Sequence, residues 1–153
     1  MKRRDKGGTT KMRNAKMSVA EVESFLHREF PQAFAHDDIS IECADGSTSL
    51  LRQRFSERLL RPGGTISGPT LMTLADFAMY VVLLSAIGPV GLAVTTNLNI
   101  NFLRKGQPGQ DVLATARLLK LGKRLAVGEV LLLSGTCPDP IAHVTSTYSI
   151  PNA

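Results

Sequence analysis

A single acidic residue stands inside a long apolar run. Residues 68–87 read GPTLMTLADFAMYVVLLSAI, and Asp76 is their one charge. A helix apolar all round is normally buried. A carboxylate within it must be paired, hydrogen-bonded, neutralised or in use. Just upstream, Gly63, Gly64 and Gly68 make residues 61–69 a glycine-rich loop that runs straight into this helix. The first N–H groups of a helix lack intrahelical acceptors and sit at the positive end of its dipole. Gly68 therefore offers a donor to an oxygen that gains negative charge, with no side chain to keep a substrate away. Asp76 offers a general base or a nucleophile. We take Gly68 and Asp76 as the catalytic candidates. They stand about two turns apart, roughly 10 Å along the axis, a long reach for one chain's pair to close on one carbonyl.

The elements that must position this pair are legible from spacing. Ser18 and Glu21 form a capping box, and Val19, Val22, Phe25, Leu26 and Phe30 give a helical stripe that Pro31 ends. Residues 38–55 read as a hairpin turning at Asp45-Gly46. Pro69 suits the first position of the long helix, where its missing N–H breaks no intrahelical bond, and Gly88-Pro89 closes it. The period then changes to two. Across 92–103 the even positions Val94, Leu98, Ile100 and Phe102 are apolar, and the odd positions Thr95, Asn97, Asn99 and Asn101 are polar. That pattern predicts a half-buried strand. Strands over 111–120, 124–134 and 141–150 follow, separated by turns. One apolar helix needs a curved sheet wrapped around it, so the expected class is α+β, a helix on one face of an antiparallel sheet. The other face is left for solvent or a partner subunit.

Composition narrows the classes. A chain of 153 residues with 43% hydrophobic content suits one globular domain. The net charge of +5 misleads, because residues 1–16 hold seven of the 18 Lys and Arg and one acid, leaving the remainder near neutral. We read 1–17 as a basic, disordered extension, or as sequence upstream of a start at Met17, and 18–153 as the domain. A charge run alone is weak support for a nucleic-acid arm, and the absence of Trp leaves few residues to stack on bases. The apolar run over 71–87 is short and carries Asp76, so it is a poor membrane span. Neither nucleic acid nor membrane is expected as a partner. Cys43 and Cys137 match no ligand spacing, and His27, His36 and His143 are scattered. No metal or cofactor is expected, and the cysteine usage fits a reducing cytoplasm.

Three blocks resemble a known family. Residues 63–69, GGTISGP, leading to Leu74-Ala75-Asp76 are similar to the loop and helix of hotdog-fold acyl-CoA thioesterases, with the phenylacetate-pathway (PaaI-like) branch the nearest. Residues 99–104, NINFLR, look like that branch's first long strand after the helix, and residues 122–127, GKRLAV, like its next hairpin. The resemblance covers roughly residues 35–151, in the same order. The family loop usually reads His-Gly-Gly; here Ser67 replaces the His and Pro69 the second Gly, while Gly68 keeps its N–H.

What the resemblance implies is a hotdog fold and an acyl-CoA thioesterase: Asp76 as general base or nucleophile on a thioester whose carbonyl the Gly68 N–H polarises. It further implies that two subunits pair, each site taking its loop from one chain and its carboxylate from the other, in a homodimer or a homotetramer built as a dimer of dimers. Ser67, Pro69 and Asn101 are then candidates for substrate binding, with Met72 and Tyr80 as possible pocket walls. Arg104, Lys105, Lys123 and Arg124 are candidates for the phosphates of coenzyme A.

Three other readings are open. A non-catalytic acyl-CoA-binding hotdog protein would keep the tunnel and the cations but have no need of Asp76. A hotdog dehydratase would use a catalytic His, and none lies in 61–76. A nucleic-acid binder would depend on the tail.

Overall fold

The computed structural model describes residues 13–152. Residues 1–12, where most of the expected basic extension lies, and Ala153 are outside the described residues. Of the rest of that segment, the Lys16 N–H donates to Ser85 O (2.7 Å), the Arg13 N–H donates to Ser47 Oγ (3.1 Å), and Met17 is buried.

Helix α1 (Val19–Glu29) begins at the expected capping box, with Ser18 and Glu21 bonding reciprocally. Pro31 ends it in a 3₁₀ turn, Pro31–Phe34. Strands β1 (Ile39–Ala44) and β2 (Thr48–Gln53) form the hairpin. Helix α2 (Gly68–Ile87) follows, then β3 (Val94–Phe102), β4 (Val112–Leu121), β5 (Leu125–Ser134) and β6 (Ala142–Ser149). All six strands join one antiparallel sheet in the order β1-β2-β4-β5-β6-β3. It curves around α2, which is the hotdog arrangement.

Helix α2 is long and apolar enough to cross a membrane, but 72% of its span is buried inside the fold, where it serves as the core. Leu74, Met79, Leu83 and Leu84 have no exposed surface. The Met79 side chain of α2 packs over Gly128 of β5, where an added Cβ would stand 2.5 Å from Met79 Sδ and 2.8 Å from Arg117 O. Gly128 is there because no side chain fits.

Strand β3 differs from its pattern in two ways. It is an edge strand, bonded to β6 alone, so its apolar residues are not half-buried throughout: Val94 and Phe102 are 56% and 54% exposed. Its register also slips between Thr95 and Asn97. A bulge of one residue reverses the inward–outward alternation before it. Thr95, expected outward, therefore pairs with inward Tyr148, while Val94 pairs with Ser149. Asn97, Asn99 and Asn101 lie exposed as expected.

Candidate active site

The loop before α2 is folded. Gly63 and Gly64 take positive φ (100° and 79°), a region open to glycine at no steric cost. The turn is closed by Gly64 N–H to Arg61 O (3.0 Å) and Arg61 N–H to Thr65 O (2.9 Å), and the Ser67 N–H is anchored to Leu59 O (2.9 Å). Ser67 is the N-cap, with Oγ accepting from the Thr70 N–H (3.3 Å). Gly68 is thus the first residue of α2 and Pro69 the second, one position later than the sequence suggested. A Cβ at Gly68 would meet the Phe102 ring at 3.1 Å, so the helix start is seated against the far end of β3.

Asp76 is half-buried, a correction to the fully buried carboxylate that an all-apolar helix implied. It lies on the flank of α2 that faces the β3–β6 edge. Its Oδ1 accepts from Thr95 Oγ1 at 2.6 Å and from Tyr148 Oη at 2.8 Å. Tyr148 Oη also lies 3.0 Å from the Asp76 carbonyl. Tyr148 is buried, and its ring stacks on Tyr80 at 6.0 Å between centroids. Burial, and then the Asp76 charge, push the Tyr148 hydroxyl far above the ordinary tyrosine range, so it stays a neutral donor. Burial first, and Glu29 second, push the Tyr80 hydroxyl up as well.

Asp76 stands where two cavities meet. One, of about 270 Å³, is lined by Phe30, Ala33, Ile39, Phe77 and Thr73 together with Asp76. The second, of about 490 Å³, shares Phe30, Asp76, Tyr80 and Tyr148 with the first and continues past Gly91 to Thr95. A third, of about 800 Å³, shares Gly91 and Leu92 with the second and ends at Gly122, Lys123, Arg124 and Asn152. Through these shared residues the three cavities follow one another along a groove that passes from an aromatic pocket, by a carboxylate, to a pair of cations.

The sequence candidates separate on this map. Tyr80 lines the groove, while Met72 is 40% exposed and lines none of the three cavities. Ser67 and Pro69 belong to the helix start, and Asn101 is exposed on β3 opposite His143. Lys123 and Arg124 sit in the β4–β5 turn, where Arg124 Nη1 donates to Asn152 Oδ1 (2.7 Å). Arg104 and Lys105 follow β3, Arg104 paired with Asp139 at 3.5 Å. These two pairs of cations lie at opposite ends of the sheet, since Val94 and Leu125 share Ser149 as a register partner while Phe102 and Leu132 share Ala142. Eight residues of strand put about 25 Å between them within one chain.

Sequence reasoning missed Thr95, Tyr148 and Phe30. The bulge hid Thr95 by placing it in the outward phase. Tyr148 reads as an ordinary strand aromatic. Phe30 was assigned to the stripe of α1, yet it packs edge-on against Phe77 at 6.3 Å and walls the cavity.

Comparison with known proteins fits this geometry. The thioesterase superfamily profile matches residues 63–140, from the glycine loop through β5. The chain belongs to the thioesterase superfamily. A provisionally named thioesterase from a Silicibacter species is 41% identical, with a TM-score of 0.84 over 93% of this chain and 97% of its own. PaaI from the phenylacetic acid degradation operon of E. coli shares the fold at 20% identity, with a TM-score of 0.72 over 85% of this chain and 95% of its own. A hypothetical thioesterase of Streptococcus pneumoniae, solved with coenzyme A, does so at 20% identity and a TM-score of 0.72, over 86% and 97%.

Proposed function

We propose that this protein hydrolyses acyl-CoA thioesters, with the acyl group in the Phe30–Phe77 cavity, the thioester at Asp76 and the CoA chain running toward Lys123 and Arg124. The observation that carries this is the groove itself: a carboxylate stands between an apolar pocket and a cationic end. That order matches acyl group, thioester and phosphates. The coenzyme A bound by the Streptococcus pneumoniae protein of the same fold supports it.

As a base, Asp76 takes a proton from water while the water oxygen attacks the carbonyl carbon. The C–S bond then breaks, and the departing thiolate recovers the proton. As a nucleophile, Asp76 attacks the carbon itself, expels the thiolate and leaves an anhydride that water cleaves. Either route builds charge on the carbonyl oxygen, which the Gly68 N–H stabilises.

Gly68 of the same chain is poorly placed for that role. It lies at the Phe102 end of β3 and Asp76 at the Thr95 end. A two-fold pairing of edge strand β3 with β3 of a second copy runs the two strands antiparallel. It sets the Phe102 end of one against the Thr95 end of the other and carries Gly68 of the second copy toward Asp76. The same operation brings Arg104 and Lys105 of the second copy to the end of the joined sheet that holds Lys123 and Arg124. A dimer therefore reunites residues that one chain separates, and a face-to-face pair of dimers is the tetramer we favour.

A binding-only reading has one point in its favour, because Oδ1 of Asp76 is already hydrogen-bonded as a structural carboxylate would be. Asp76→Asn decides between them. The hydrolytic reading expects turnover of a panel of acyl-CoAs to fall by about 10²–10⁴, with coenzyme A binding retained by calorimetry. Wild-type turnover by the folded variant overturns it.

A further inference from the structure

Resting on that hydrolytic reading, we propose that Tyr148 is a positioning residue for the reaction: its hydroxyl holds Asp76 by Oδ1 and so presents Oδ2 to the groove. The argument begins in the sheet. Tyr148 of β6 and Thr95 of β3 are register partners beside the bulge. Without the one-residue slip at Thr96, Thr95 would face away from α2. With it, two hydroxyls from neighbouring strands end on a single carboxylate oxygen, at 2.6 and 2.8 Å. Among the described residues no hydrogen bond reaches Oδ2, so that oxygen is the one available to a water or a thioester carbon.

Tyr148 is the less mobile of the two donors. Its ring is buried, stacked 11° from parallel on Tyr80, and Tyr80 is itself tied through its hydroxyl to Gly91 O at 3.2 Å. Thr95 is exposed. The single hydroxyl proton of Tyr148 is shared between Oδ1 and the carbonyl of the same residue, Asp76. It thus ties the carboxylate to its own backbone and limits rotation about χ1. A catalytic group displaced by about 1 Å loses up to 10²-fold in rate, so a donor that fixes this rotamer acts on turnover more than on affinity.

The test is Tyr148→Phe, which removes one oxygen and leaves the stacked ring in place. We expect kcat for the best acyl-CoA to fall roughly 10- to 100-fold, KM to change less than about threefold, and the melting profile to remain cooperative. Thr95→Val should lower kcat in the same sense, and Thr95→Ser should restore it. A folded Y148F with wild-type kcat overturns the inference while leaving the hydrolytic reading intact. If Y148F does not fold, two χ1 rotamers of Asp76 in crystals of the wild type overturn it equally. An active Asp76→Asn overturns both.

Discussion

Gly68 and Asp76 belong to one helix yet serve opposite ends of one strand: Gly68 is seated on Phe102, and Asp76 bonds Thr95. Eight residues of α2 put about 12 Å between them, which is too far for an N–H and a carboxylate to share one thioester. In the proposed dimer each site borrows Gly68 from the other chain. Two inactive variants should then complement each other. Gly68→Pro removes the N–H at the first helical position, with the Phe102 ring shifting by a few tenths of an ångström to admit the new Cβ, and Asp76→Asn removes the base. Refolded as an equal mixture, they should recover about a quarter of wild-type activity, because half the dimers are mixed and each of those holds one intact site. Activity that stays at the level of the separate variants, with mixed dimers present by native mass spectrometry, removes the shared site.

Gly128 lies where the Met79 side chain of α2 leaves no room for a side chain on the sheet. A Cβ there meets both the Met79 sulfur and the Arg117 carbonyl below 3.0 Å, and the carbonyl cannot move without disturbing the β4–β5 ladder. Gly128→Ala should cost about 1–3 kcal/mol, or roughly 2–4 °C in Tm for each kcal/mol in a chain of this size. Denaturant unfolding checks this. Met79→Ala in the same background should return part of the loss, since the flexible thioether is the movable half of the clash.

Acid should loosen the outer face of the sheet. Glu129 accepts from Arg117, then from His143 Nε2 at 3.0 Å, and these partners hold its carboxyl below the ordinary range. A carboxyl lowered on folding contributes stability above its unfolded pKa, and that contribution fades as the pH falls through the folded value. Unfolding free energy of the wild type should therefore decline below about pH 4.5 more steeply than that of Glu129→Gln. The exposure of the group makes the difference small. Parallel slopes in urea titrations across that range would remove the assignment.

The α+β architecture, the hairpin, the capping box and the places of Gly68 and Asp76 on one long helix were legible because each rests on local pattern. Ser18 and Glu21 are three residues apart, and one charge in an apolar helix is visible without a structure. The partners of that charge were not legible. Tyr148 lies 72 residues from Asp76 and reaches it only because β3 and β6 pair out of sequence order. Thr95 was assigned to the wrong face because a bulge has no signature in alternation alone. The edge position of β3 was hidden for the same reason. Strand order is a non-local property, and with it went the separation of Arg104 and Lys105 from Lys123 and Arg124.

That separation yields the last prediction. Lys123 and Arg124 line the far end of the groove in their own chain, whereas Arg104 and Lys105 can reach it only from a second copy. All four are exposed, so each phosphate contact should contribute about 1 kcal/mol or less, a few-fold in KM. Contacts made equally in ground and transition states leave kcat unchanged. Lys123→Ala and Arg124→Ala should therefore raise KM for acyl-CoA and leave KM for the matching acyl-pantetheine, which lacks the nucleotide, where it was. Arg104→Ala and Lys105→Ala should do the same only in the dimer. In a monomer forced by Ile100→Pro, which removes a β3 backbone donor at the free edge, coenzyme A affinity measured by calorimetry should no longer respond to Arg104→Ala or Lys105→Ala but still respond to Lys123→Ala. Equal discrimination between the two thioesters in all four single variants would make these side chains solvated turn residues and take the nucleotide out of the groove.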